Sequence, residues 1–232
     1  MGIQSLAAKR GDSLTDEGFF SAVELDVHPS NEGQAEIAER FLAVLPEKSG
    51  PVFPFRDLAP KRWSYPYVKA MYDNGFLQGV SATAFAPTQP LTRGQLVTIL
   101  GRIAGLDPKQ YPACAFSDVR PGSYCAPYAE WARQTGIVKG VGGGRFRPNA
   151  SATREQVAVI AANYARQQGI SLQAVNAPVQ FADSANISTW AADAVSQLQQ
   201  AGVLNGYPDG TFRAKNAISR EGACKLIFEA LV

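Results

Sequence analysis

The chain has 232 residues, a formal net charge of +2 at pH 7 and 46% hydrophobic residues, enough apolar material for a sizeable folded core. Near-neutral charge with no basic block argues against nucleic acid as a partner, and no apolar run approaches the length of a membrane helix. A single histidine and three cysteines, none in zinc-like spacing, argue against a zinc site, and no metal or cofactor is expected.

Residues 1 to 50 differ from the rest. The charges at Lys9, Arg10, Asp12, Asp16 and Glu17 do not read as a signal peptide, so the leader of a secreted protein would lie in a longer parent. Ile37, Ala38, Phe41, Leu42 and Leu45 recur at helical spacing and predict a helix over residues 34 to 45. Just before it, Asp26-Val27-His28-Pro29 and Gly33 resemble the last block of the SGNH/GDSL hydrolases. That resemblance implies that Asp26 and His28 are the remnant of a catalytic triad. Gly11-Asp12-Ser13-Leu14-Thr15 spells the family's nucleophile motif, but no buried strand precedes it. Ser13 also lies only fifteen residues before His28, too few for the sheet that this fold needs. The segment therefore reads as the end of a hydrolase domain plus a linker, with no activity expected of this chain. The other reading is an unrelated capped helix with a surface histidine. Gly50 to Pro54 forms the joint.

From there the chain repeats itself. Phe55, Phe116 and Phe181 open three units, with Asp57, Asp118 and Asp183 two residues on. Trp63, Tyr124 and Trp190 each precede Gly75, Gly136 and Gly202 by twelve residues. Phe85, Phe146 and Phe212 each precede Arg93, Arg154 and Arg220 by eight. The landmarks recur every 61 to 66 residues and define units over 53–106, 114–169 and 179–232.

In the first unit a helix is expected from near Trp63 or Pro66 to Asn74-Gly75, with Val68, Met71 and Tyr72 on one side. A second helix is capped by Thr92 with Gln95 completing a capping box, and carries the stripe Leu96, Val97, Leu100, Ile103 and Ala104. In the second unit Tyr128, Trp131 and Ala132 face inward, Thr153 and Gln156 form the box, and Val157, Ile160, Ala161 and Tyr164 form the stripe. Its Gly142-Gly143-Gly144 run lacks both the strand and the Lys-Ser/Thr of a phosphate loop. In the third, Trp190, Ala191, Ala194, Val195 and Leu198 fit one helical face. Ser219 caps the last helix, with Gly222 in place of the box partner, and Cys224 is a small core residue. Cys114 and Cys125 flank the opening of the second unit. As a disulfide they would close a short loop worth about 3 kcal/mol in the entropic description, and two free thiols are the alternative. A single helix-loop-helix unit buries too little apolar surface to stand alone, so the three are expected to share a core.

Phe-x-Asp, an aromatic, a helix ending in Gly, Gly206-Tyr207-Pro208-Asp209-Gly210-Thr211-Phe212 and Ile218-Ser219-Arg220-Glu221 resemble the S-layer homology repeat, closely in the third unit and in frame in the others. The resemblance implies an all-α, three-pronged, pseudo-threefold bundle acting as a monomer, with a short N-terminal helical remnant in front. It implies an extracellular module that holds a protein non-covalently on the bacterial cell wall. The ligand would be a secondary cell-wall polysaccharide carrying pyruvate ketals, bound in grooves between repeats. An arginine at the first position of a helix offers a planar pair of donors beside free N–H groups, which suits a ketal carboxylate. Arg93, Arg154 and Arg220 are therefore the expected readers, unless each simply pairs with Asp57, Asp118 or Asp183. Those aspartates either line the site or fix turns. Trp63, Tyr124 and Trp190 either stack on sugars or join the core. Backbone donors around Gly79, Gly140 and Gly206 would contribute in all three grooves, whereas Tyr207 and Asp209 have no polar or aromatic counterparts in the first two loops. The competing functions are an esterase whose body is elsewhere and a self-assembling surface lattice.

Overall fold

The computed structural model describes residues 53–232. Asp26, His28 and the helix expected over residues 34 to 45 lie outside the described residues. The described chain is all-α: α1 (Tyr65–Asp73), α2 (Arg93–Ile103), α3 (Ala126–Gln134), α4 (Arg154–Gln167), α5 (Thr189–Gln200) and α6 (Arg220–Leu231), with isolated bridges in place of strands.

Local chemistry explains where these helices begin and end. α1 and α3 carry a proline in their opening positions, where a missing N–H costs nothing. The first helix of every unit stops at a glycine with φ near 75°: Gly75, Gly136 or Gly202. Both capping boxes form, Thr92 with Gln95 and Thr153 with Gln156, while Ser219 accepts only the Gly222 N–H. One expected stripe needs correcting. Trp190 sits in α5 beside Ala191, but neighbouring helical residues point about 100° apart. Ala191, Val195 and Leu198 form the buried face, and Trp190 stays 55% exposed.

Each unit opens on a knot that sets its loop. Phe55, Phe116 and Phe181 pack against Phe85, Phe146 and Phe212, with ring centroids 5.7, 5.2 and 5.3 Å apart. The residue after each loop phenylalanine is left-handed: Ala86, Arg147 and Arg213 have φ of 57°, 56° and 58°. For a residue with a Cβ this costs on the order of 1 kcal/mol. The unit's aspartate offsets it by accepting two backbone N–H bonds. Asp57 takes those of Phe85 and Ala86 at 2.8 and 2.7 Å, Asp118 those of Phe146 and Arg147, and Asp183 those of Phe212 and Arg213.

The helices pair mainly between units. α2 packs on α3, α4 on α5, and α6 returns to α1. At that return, the Phe228 and Tyr67 rings meet edge-on and the Tyr67 hydroxyl donates to Glu229. Beside it, Glu221 accepts from Arg62 at 2.6 and 2.7 Å and from Ser64 at 2.6 Å. Glu155 ties α4 to the third unit through the Ser188 N–H and Lys215. The corresponding position in the first unit is Gly94, which lets Tyr124 and Cys125 approach closely. The segments before the second helices meet in a closed ring. Leu91 N donates to Ile218 O, Ile218 N to Ala152 O, and Ala152 N to Leu91 O, at 3.0, 3.0 and 2.9 Å. A single apolar core runs through all three units.

Cys114 and Cys125 carry free thiols, and the Cys125 sulfur lies 3.8 Å from the Ser123 hydroxyl. Burial raises the pKa of both thiols. Cys224 is buried in the core.

Candidate functional site: three grooves between the repeats

Three grooves of about 320, 550 and 570 Å³ lie between the units, and all three units contribute to each. The first is built on the loop Leu77 to Val80 and on α2, with Arg220 of the third unit and Tyr124 of the second. The second is built on Gly136 to Val141 and α4, with Arg93 of the first unit and Trp190 of the third. The third is built on Val203 to Pro208 and α6, with Arg154 of the second unit and Trp63 of the first. The fold thus brings together one arginine, one loop glycine and one helix-start aromatic per groove, each from a different unit. Tyr124 and Trp190 are exposed groove walls, whereas Trp63 is half-buried and packs against the core.

Every arginine crosses to the next unit and lies on its loop phenylalanine. Arg93 is 4.7 Å from the Phe146 centroid, Arg154 4.8 Å from Phe212 and Arg220 4.6 Å from Phe85. Each Nε donates to the carbonyl of that same phenylalanine at 2.7 to 2.8 Å. Arg154 and Arg220 also donate through Nη2 to the carbonyls of Asn205 and Gln78, at 3.0 and 2.9 Å. The expected alternative, an ion pair with the neighbouring aspartate, does not occur. Among the described residues no carboxylate pairs with Arg93, Arg154 or Arg220. Burial lowers the pKa of all three guanidiniums from a value so high that they stay charged.

Two expectations about the backbone are corrected. The helix-start N–H groups beside these arginines are not free. Arg93 N and Gly94 N donate to Ala150 O and Pro148 O, Arg154 N and Glu155 N to Asn216 O and Ala214 O, and Arg220 N and Glu221 N to Gln89 O and Pro87 O. The N–H groups following the loop glycines are also committed, since Val80, Val141 and Tyr207 donate back to Ala84, Arg145 and Thr211. The glycines serve packing. A Cβ would stand 2.4 Å from the Phe55 ring at Gly79, 2.8 Å from Phe116 at Gly140 and 2.8 Å from Phe181 at Gly206.

The aspartates are committed to the backbone as well. Both oxygens of Asp57, Asp118 and Asp183 hold the left-handed turns. For Asp57 and Asp118, burial pushes the pKa up, but the backbone donors outweigh it and the net shift is downward. Asp209 is occupied by Thr211 and Arg213, which hold it down at about 2. Tyr207 lies between Arg213 at 4.0 Å and Arg154 at 4.9 Å. The polar groups peculiar to the third loop are therefore bound to one another.

Sequence reading missed the cations on the outer walls. Arg102 lines the first groove, Lys139 and Arg166 the second, and Lys225 the third. Their signal was weak: single charges on otherwise ordinary helix faces or before a loop glycine. Lys225 is neutralised by Glu229 at 2.7 Å.

The model of the S-layer homology domain matches residues 54–97, 115–158 and 180–223. The chain is 36% identical over 183 residues, 78% of its length, to an endoglucanase of Bacillus sp. (strain KSM-635). It is 26% identical over 159 residues, 67% of its length, to a cellulosome-anchoring protein of Acetivibrio thermocellus, and 33% identical over 133 residues, 55% of its length, to a surface-layer 125 kDa protein of Lysinibacillus sphaericus. It spans 19%, 35% and 11% of these three relatives. With three such matches over more than half its residues, the chain belongs to the S-layer homology domain family.

Proposed function

We propose that the chain is a non-catalytic, extracellular anchoring module that binds an acidic secondary cell-wall polysaccharide in the grooves between its repeats. The units form a pseudo-threefold, three-pronged bundle that acts as a monomer, and the closed hydrogen-bond ring of Leu91, Ala152 and Ile218 supports this arrangement. The ligand carries carboxylates of the pyruvate-ketal type. One observation carries that reading: each groove holds a guanidinium fixed by carbonyls and a ring, charged, and without a carboxylate partner among the described residues. An incoming carboxylate would supply the missing countercharge and take up the remaining N–H donors. The exposed faces of Tyr124 and Trp190 flank the same space and suit the apolar face of a sugar ring. The relatives named as an anchoring protein and a surface-layer protein fit this role.

The test is sedimentation of the chain with purified wall sacculi, before and after mild acid removal of ketals. Binding should be lost with the ketals. Retained binding would move recognition to neutral sugars and the aromatic walls, and no binding to either preparation would remove the wall ligand altogether.

A further inference from the structure

The three grooves differ in charge, and the difference is concentrated in the second. Arg93, Lys139 and Arg166 line it, and no carboxylate does. The first groove has Arg102 and Arg220, with Gln78 where the second has Lys139. The third has Asn205 at that place, and its Lys225 is already paired.

The backbone at Lys139 differs as well. Gly140 has φ of +79°, whereas Gly79 and Gly206 are not left-handed. In the other two grooves the carbonyl before the loop glycine accepts from the arginine Nη2. In the second groove that bond is missing, and Arg93 instead donates Nη1 to the Gln156 side chain at 3.3 Å. Among the described residues no side-chain nitrogen is both buried and unbonded. The Arg93 Nη2 makes no hydrogen bond to a described residue, so it opens on the groove although the residue as a whole is only 5% exposed. Arg166 is held by Asn163, whose amide donates to Ile137 O at 3.1 Å, and this places a second guanidinium on the same wall. Lys139 makes no ion pair among the described residues.

We propose that the groove of Arg93, Lys139 and Arg166 is a site for a dianionic group of the phosphate-monoester kind, carried on a sugar that lies against Trp190. A ketal brings one negative charge, whereas a phosphate monoester brings about 1.5 to 2 at pH 7 with three acceptor oxygens. Three uncompensated cations match the second better than the first. This inference rests on the groove-binding reading above and assigns a different ligand charge to one groove of the three.

The full chain is titrated at pH 7 and low ionic strength with a hexose 6-phosphate, with inorganic phosphate and with a hexose pyruvate ketal. The readouts are affinity and the indole N–H resonance of Trp190. The hexose phosphate should bind about tenfold tighter than the ketal sugar and shift that resonance. Lys139→Gln and Arg166→Gln, both exposed, should each weaken the phosphate sugar about fivefold and the ketal sugar less than about twofold. Lys109→Gln, an exposed cation outside the grooves, controls for net charge. Inorganic phosphate binding as tightly as the hexose phosphate would support the site with the free ion as occupant. Equal affinity for the two sugars, an unmoved Trp190 signal, or an equal loss in Lys109→Gln would overturn the inference. Sacculus binding is scored separately: retained with no phosphate preference, it leaves the wall-anchor reading intact and removes only this site.

Discussion

The second and third loops occupy equivalent places and reach opposite solutions. Gly206 to Phe212 brings a tyrosine, an aspartate and a threonine. These groups bind one another and the two arginines beside them. Gly140 to Phe146 brings mostly glycine, and its arginine bonds the Phe146 carbonyl but not the carbonyl before the loop glycine that its counterparts also use. The loop richer in side chains is therefore the more self-satisfied one, and the barer loop leaves more of its cation open to a ligand. Polar residues in a groove signal binding only after their internal partners have been counted.

The sharpest test of that contrast is in the glycines. Gly140→Ala faces both a left-handed backbone and a carbonyl 2.6 Å from the new Cβ, so unfolding should become easier by about 4 kcal/mol. Gly206→Ala meets crowding alone and should cost about 2 kcal/mol in the same denaturant titration. Equal costs would mean that the two loops are interchangeable.

Next come the arginines. Arg154→Ala removes two carbonyl bonds and two ring contacts, roughly 3 kcal/mol of stability. Arg93→Ala removes one carbonyl bond, one long amide bond and one ring contact, roughly 2 kcal/mol. Thermal melts should rank them in that order, and a reversed order would break the comparison. Both residues hold the units together as well as facing the grooves, so loss of wall binding in these variants must be read alongside their melting curves.

A smaller effect is expected from Tyr207→Ala. It uncovers one face of Arg154 and should raise affinity for a ketal sugar at the third groove about threefold. The Arg154 Nε–H resonance reports whether the gain arises there, and no gain would mean that the ring does not screen the cation.

The smallest effect concerns acid. Arg133, then the Ala115 N–H and Gln134, hold Glu130 down at about 2, against burial. A depressed carboxylate contributes stability that is complete above its unfolded pKa and fades as pH falls through the folded one. Between about pH 4.5 and 2 the Ala115 amide should therefore lose hydrogen-exchange protection, and Glu130→Gln should abolish that pH step. The third unit has Ser196 at the matching position and should show no equivalent step.

Much of this architecture was legible in the sequence. Capping boxes, αL glycines and apolar stripes are local signals, and Thr92, Gln95, Gly136 and Leu96 each act within a few residues of themselves. Partner choice was not legible. Nothing near Arg220 says that its bonds go to Phe85 and Gln78, or that Glu221 reaches Arg62, because these pairs are created by the exchange of helices between units. The same pairing between units leaves Tyr124 and Trp190 exposed, although helical periodicity had put Trp190 on the apolar face. The occupied helix-start N–H groups were hidden for this reason too, since their acceptors lie in another unit.

The return of α6 to α1 also has a mechanical side. Any pull transmitted through the chain that precedes Phe53 passes the Phe55 and Asp57 knot and then reaches the start of α1. There it meets the Arg62–Glu221 pair, the Ser64 hydroxyl, and Tyr67 against Glu229 and Phe228. These contacts join the two extremes of the repeat array, so tension is passed at once to the last unit and, through the Leu91, Ala152 and Ile218 hydrogen bonds, to the middle one. Force on such a ring is shared among the units, and they cannot peel off one after another in chain order.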